Sequence, residues 1–269
     1  MEKLNFEISA VTDIGISKDK NQDSYHIRLC NSILGPVVFA ILCDGMGGLA
    51  EGEVASATVV RQFCAWADKR LPELCEKGGF SSNLYKEWTH IIETCNKKLV
   101  AYGEQKGSQL GTTATVLLLA EDKYYIIHVG DTRIYEITDK VKVLTTDHSL
   151  VAKELELGIL SPEQAKSDTR KHILLQCIGV LGELRPEFIT GKIVKGAVYL
   201  LCSDGFRHKI TSEEIYEYFN SDIIQESTLY YNLKKLVELN KERKEKDNIT
   251  VVGIKTDARK QDSEEKVYA

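Results

Sequence analysis

Short apolar runs rich in β-branched residues recur along the chain, at 37–43, 113–119, 124–129, 198–202 and 249–254. Their length and composition predict buried strands. Between them the apolar positions shift to helical spacing. Leu84, Trp88, Ile91, Ile92, Cys95, Leu99 and Tyr102 fall on one helix face, and Val54, Val59, Phe63 and Trp66 mark another helix beginning after Glu51. Ser161-Pro162-Glu163-Gln164 places proline in the first turn of a capped helix, and Thr211 with Glu214 has the spacing of a capping box. Leu229, Leu233, Leu236 and Val237 mark a last helix. Strands and helices do not alternate regularly, and the runs at 113–119 and 124–129 are joined by a tight turn. This favours an α+β fold, antiparallel sheets packed together and covered by helices, over a doubly wound parallel sheet.

Composition narrows the function. Hydrophobic residues make up 43% and charged residues 28% of 269 residues, as in a globular enzyme with a sizeable core. The net charge is -5 and the basic residues are scattered, so nucleic acid is excluded as a partner. No basic-then-apolar leader and no apolar stretch of about 20 residues is present, so the expectation is a cytoplasmic protein with no membrane contact. The seven cysteines stand mostly alone in apolar segments and read as small buried hydrophobes of a reducing compartment. With four prolines and no low-complexity linker or repeat, a single domain over residues 1–256 is expected, followed by a charged, disordered tail at 257–269.

The candidate chemistry lies where the apolar runs stop. One run ends in Asp44-Gly45, one in Asp204-Gly205 and one in Gly130-Asp131, while Asp247-Asn248 directly precedes the last. A lone Asp-Gly is an ordinary turn signal. Four acidic residues at the ends of buried strands would cost stability unless a charge compensates them. Magnesium and manganese prefer oxygen ligands and keep several waters, so short carboxylates on rigid strand ends suit them. Glycine after the aspartate lets a backbone carbonyl approach a metal or leaves room for water and substrate.

The ordered blocks TDIGISKDKNQDSY, ILCDGMGG, GTTATVLLL, HVGDTRIYEI, TTDHSLV, LLCSDGF and KDNITVVGIK, spanning residues 8 to 255, resemble the bacterial branch of the metal-dependent type-2C serine/threonine protein phosphatases. The resemblance implies a central antiparallel β-sandwich flanked by helices on both faces, with metals at one end. It implies that Asp44 bridges two Mn2+ or Mg2+ ions, that the Gly45 carbonyl binds one and Asp204 and Asp247 the other, and that Asp131 helps hold a third, weaker ion. Asp23 would support the centre, and Lys18 would bind the substrate phosphate. A metal-bridging hydroxide would then hydrolyse phosphoserine and phosphothreonine esters without a phosphoenzyme. The implied partners are phosphorylated proteins, with a serine/threonine kinase or that kinase's substrates among them, and the implied state is a monomer.

The chain departs from the family at several positions. Lys18 stands where arginine is usual, exchanging a bidentate fork for a point charge; weaker phosphate capture is expected, and an unchanged Michaelis constant in Lys18→Arg would count against it. Met46 replaces the histidine that eukaryotic members place after the first Asp-Gly, which leaves a water as the proton donor. His148, Arg133 and Thr112 match family blocks and read as structural supports. The segment 148–172 corresponds to the family's flap over the site, either a substrate selector or a plain surface connection. Two rivals stand beside this reading. Gly45-Met46-Gly47-Gly48-Leu49-Ala50 satisfies a loose dinucleotide fingerprint, and a catalytically weak, phosphoprotein-binding relative could retain the fold.

Overall fold

The computed structural model describes residues 4–47, 51–77, 80, 83–220, 224 and 228–258. Its centre is a pair of five-stranded sheets. The first runs in the order β1 (Leu4–Asp13), β12 (Ile249–Ala258), β11 (Val198–Cys202), β8 (Arg133–Ile137), β9 (Val141–Val143). The second runs β10 (Glu187–Lys192), β7 (Lys123–Val129), β6 (Ala114–Ala120), β3 (Gly35–Cys43), β2 (Ser24–Ser32). Every ladder in both is antiparallel. A small third sheet pairs β4 (Gly45–Gly47) with β5 (Leu110–Thr112).

The apolar runs are continuous because each central strand is covered on both faces. Side chains alternate across a strand, so in β3 Val38 and Ala40 enter the layer between the sheets, while Val37, Phe39, Ile41 and Cys43 face the other way. That outer layer is covered by α1 (Gly52–Lys77) and α2 (Leu84–Lys106), with Phe63, Trp66, Trp88 and Ile92 packed on the sheet. In β11 the same alternation sends Tyr199 and Leu201 between the sheets and Val198, Leu200 and Cys202 toward α6 (Ser212–Phe219) and α7 (Leu229–Glu242). The result is the helix–sheet–sheet–helix stack expected from the family resemblance. Two short helices, α3 (Leu150–Glu156) and α5 (Asp204–Arg207), complete the set. The caps form as read: Ser161 opens α4 (Pro162–Ser167) and Thr211 opens α6, each with a complete capping box.

The sequence patterns missed β1, β2, β8, β9 and β10, as well as the short β4–β5 pair. Four of these, β1, β2, β9 and β10, are sheet edges whose outward positions stay polar and partly exposed, so no unbroken apolar run announces them. The last strand runs to Ala258, and its Asp257 and Ala258 pair with Asn5 and Leu4, so the sheet takes in two residues assigned above to the tail. Residues 259–269 of that tail lie outside the described residues. No helix among the described residues is long and apolar enough to cross a membrane.

Candidate metal centre

The two sheets meet at one end, and there the strand ends deliver the aspartates. Asp44 follows β3 of one sheet; Asp204 follows β11 and Asp247 precedes β12 of the other. Asp131 lies on the crossing from β7 to β8, between the sheets. The backbone of Asp44 is pinned by buried threonines. Its N–H donates to Thr113 Oγ1 (2.8 Å), and its carbonyl accepts from Thr113 N–H (2.9 Å) and Thr112 Oγ1 (2.8 Å). Thr112 is thus the structural support expected of it.

With the backbone satisfied, the Asp44 carboxylate is left facing other acids. Burial, and then the fields of Asp23, Asp204, Asp131 and Asp247, hold its pKa well above the usual carboxylate value. Asp23 is pushed up to about 7, first by burial and then by Asp204 and Asp247; the nearby Ser203 and Thr250 hydroxyls oppose the shift without completing a hydrogen bond. Both carboxylate oxygens of Asp23 and one of Asp204 are buried with no hydrogen-bond partner. Asp131 also rises to about 7: burial raises it, Arg207 opposes, and Asp204 and Asp147 add to the rise.

A group of acids that repel one another and leave buried oxygens unpartnered fits divalent cations, which would supply the missing charge and take the lone pairs. Among the described residues, ligating atoms of three side chains gather within 4.8 Å of one another only in His128, His148 and Glu187. That set does not fit a metal. Nε2 of His128 donates to the Thr146 carbonyl (3.1 Å), and its Nδ1 faces Thr115 Oγ1 (2.8 Å), so the ring has no free lone pair. Nδ1 of His148 accepts from Gly130 N–H (3.2 Å), the structural role assigned to it. The aspartates stand further apart, as suits ions that keep part of their water shell.

Close approach of these segments explains the glycines better than access for a ligand does. A Cβ on Gly205 would lie 2.1 Å from the Asn248 carbonyl oxygen, and one on Gly45 would lie 2.2 Å from the Gly52 carbonyl oxygen. Glycine after Asp204 lets the ends of β11 and β12 approach, and glycine after Asp44 admits the start of α1 and the loop at Gln22.

Several residues of the site were not singled out from the sequence. Asn248 is a clasp: its Nδ2 donates to the carbonyls of Ile14 (2.9 Å) and Lys20 (3.1 Å), and its Oδ1 accepts from Gln22 N–H (2.9 Å). It thereby shapes the loop that sets Lys18 Nζ 2.8 Å from Asp247 Oδ1. Burial lowers the Lys18 pKa, but the hydrogen bond to Asp247 and the charges of Asp247, Asp44 and Asp204 outweigh it and leave it raised. Buried Glu245 accepts from the N–H groups of Lys246 (2.8 Å) and Asp247 (3.0 Å) and so orients Asp247. Arg207 pairs with Asp131 (2.9 Å) and approaches Asp147 (3.4 Å), which also takes both arms of the Arg133 fork at 2.8 Å. Arg133 is a support, as read. Nothing local in the sequence marks these contacts, because their partners lie up to 234 residues apart.

The dinucleotide reading fails on geometry. Gly45–Gly47 form a strand paired with β5 rather than a turn opening a helix, and α1 begins only at Gly52.

The sandwich of antiparallel sheets thus gathers at one end a cluster of carboxylates suited to hard cations. The sequence profile of the protein phosphatase 2C family matches residues 16–239, and the chain belongs to that family. Protein phosphatase PhpP of Streptococcus pneumoniae is 33% identical over 254 residues, covering 92% of this chain and 96% of PhpP. The serine/threonine phosphatase stp of Listeria monocytogenes is 32% identical, covering 91% and 94%. Among solved structures, the Streptococcus agalactiae serine/threonine phosphatase superposes with a TM-score of 0.79 at 30% identity, covering 93% of this chain and 99% of that one. The catalytic domain of the serine/threonine phosphatase PstP, solved with 2 manganese ions, gives 0.77 at 28% identity, covering 95% and 100%.

Proposed function

We propose that this chain, a metal-dependent serine/threonine protein phosphatase, holds two Mn2+ or Mg2+ ions on Asp44, Asp204, Asp247 and the Gly45 carbonyl, with Asp131 available to a third. The observation that carries the assignment is the convergence of five aspartates on one end of the sandwich, with buried oxygens of Asp23 and Asp204 left unpartnered. When bound, such cations make hydroxide available at neutral pH and offset charge on the phosphoryl oxygens.

The chain's own residues do the rest. Thr112 and Thr113 fix the Asp44 peptide, Glu245 fixes that of Asp247, and the Asn248 clasp sets the Lys18 loop. Lys18 turns its ammonium from Asp247 toward a substrate phosphate and supplies one positive charge there. Asp23, close to Ser203 and Thr250, orients water beside Asp204. The Met46 side chain has no proton to give, so the proton for the serine or threonine leaving group comes from water. Substrates are phosphorylated proteins, with a serine/threonine kinase or that kinase's substrates among them. The working unit is a monomeric, cytoplasmic domain that runs through the end of β12 at Ala258. The presence of every expected aspartate supports an enzyme over a binding-only relative.

Calorimetric titration with Mn2+ tests the assignment. Wild type should bind two ions, and Asp44→Asn should weaken both sites, since its carboxylate would be a ligand common to them. Two-site binding preserved in Asp44→Asn would overturn the ligand assignment.

A further inference from the structure

Beside the metal centre lies a second cavity, of ≈ 320 Å³, between the flap and the segments that carry Asp204 and Asp247, a size within the range of ligand pockets. Lys171 and His172 of the flap line one side; Lys209, Lys244 and Lys246 line the other. His208 stands between the cavity and the metal centre, with its Nε2 3.4 Å from Asp204 Oδ2.

Positive charge is in excess here: four lysines line the cavity against two carboxylates. Asp168 is paired with Arg170 at 2.8 Å, and Glu245 accepts from the Lys246 and Asp247 amides and lies 3.6 Å from His208 Nδ1. The four exposed lysines close no salt bridge among the described residues. A wall with an excess of one sign of charge attracts a counter-ion.

Lys244 adds an independent observation. It follows the C-cap of α7 with φ 62°. Its N–H donates to the Lys241 carbonyl, and the Glu245 N–H donates to that of Asn240, both at 3.0 Å. This is the left-handed helix ending in which glycine is the favoured residue. Lysine stands there against backbone preference and lines the cavity, a local cost of the kind that marks functional sites.

We propose that this cavity is a substrate subsite that takes an anionic side chain, a second phosphate or a carboxylate, flanking the phosphoserine or phosphothreonine being hydrolysed. The proposal rests on the phosphatase reading and makes the flap a selector for acidic or multiply phosphorylated segments. Its continuity with the centre follows from the chain: Lys246 immediately precedes Asp247, and Lys209 lies five residues after Asp204.

The test is kcat/KM with Mn2+ for four phosphothreonine peptides, differing only in having neutral, aspartate, phosphoserine or lysine neighbours. They are compared in wild type and in the double variant Lys209→Ser/Lys244→Gly, which places glycine at the left-handed position. Wild type should favour the aspartate and phosphoserine peptides over the neutral one by about fivefold, the combined effect of two or three exposed ion pairs, and less so at high salt. The double variant should bring that ratio to within about twofold. A larger effect with phosphoserine than with aspartate identifies phosphate as the preferred anion, and equal effects identify charge alone. Equal rates for neutral and acidic peptides in wild type, or an unchanged ratio in the variant, would overturn the subsite while leaving the phosphatase reading intact. No turnover of any peptide overturns both.

Discussion

Acidification from pH 7 to pH 5 should cost the folded protein about 2 kcal/mol through one side chain, His128. The ring is fully buried, donates to the Thr146 carbonyl and lies against Thr115 Oγ1. Burial, reinforced by His148, lowers its pKa from 6.5 to about 3. Because the folded value is depressed, the unfolded chain takes up a proton below pH 6.5 that the folded chain refuses. The stability is therefore fully present above 6.5 and declines as pH falls toward 3. At pH 5 the unfolded imidazole is mostly protonated and the folded one is not, which gives about 2 kcal/mol, a readable share of the roughly 5–15 kcal/mol of a typical domain. The crowded aspartates act in the opposite sense. Asp23 and Asp131, each raised to about 7, bind protons in the folded state before the unfolded chain does. Urea unfolding followed by the fluorescence of buried Trp66 and Trp88, at pH 7 and pH 5 with chelator, should therefore be compared between wild type and His128→Asn. The variant should be less sensitive to acid by about 2 kcal/mol. Identical pH dependence in the two proteins would refute the assignment of a neutral, buried imidazole.

Asp147→Asn should destabilise the protein by about 1–3 kcal/mol in urea, because it strands the half-buried Arg133 fork and weakens the Arg207 contact. Asn248→Ala removes three hydrogen bonds to the loop carrying Lys18; it should raise KM for a phosphopeptide about fivefold, the effect of roughly 1 kcal/mol, and steady-state kinetics reads this directly. Mn2+ should raise the unfolding midpoint more at pH 7.5 than at pH 5.5, since protons compete for carboxylates whose pKa values are raised; thermal scans with and without metal measure the difference.

The central strands were legible because burial on both faces leaves unbroken apolar runs such as 37–43 and 198–202. Edge strands such as β2 and β10 were not, since half their positions answer to water rather than to a core. The same physics made the site legible in part. Aspartate at the end of a buried strand conflicts with its surroundings and therefore stands out. Asn248, Glu245 and Arg207 satisfy their surroundings, and their partners are set by the closing of the sheets rather than by neighbours in the chain. The lysines around the second cavity were invisible for the same reason: 171, 209 and 244 are scattered in sequence and share a wall only in the fold.

The most direct test of the account is hydrolysis of a phosphothreonine peptide by wild type and Asp204→Asn, each with Mn2+, with Mg2+ and with chelator. Turnover by wild type only when metal is present, with a loss of at least about a hundredfold in the variant, is the predicted result. Turnover by wild type in chelator, or full activity in Asp204→Asn, would contradict the claim that the strand-end aspartates hold the ions that carry the chemistry.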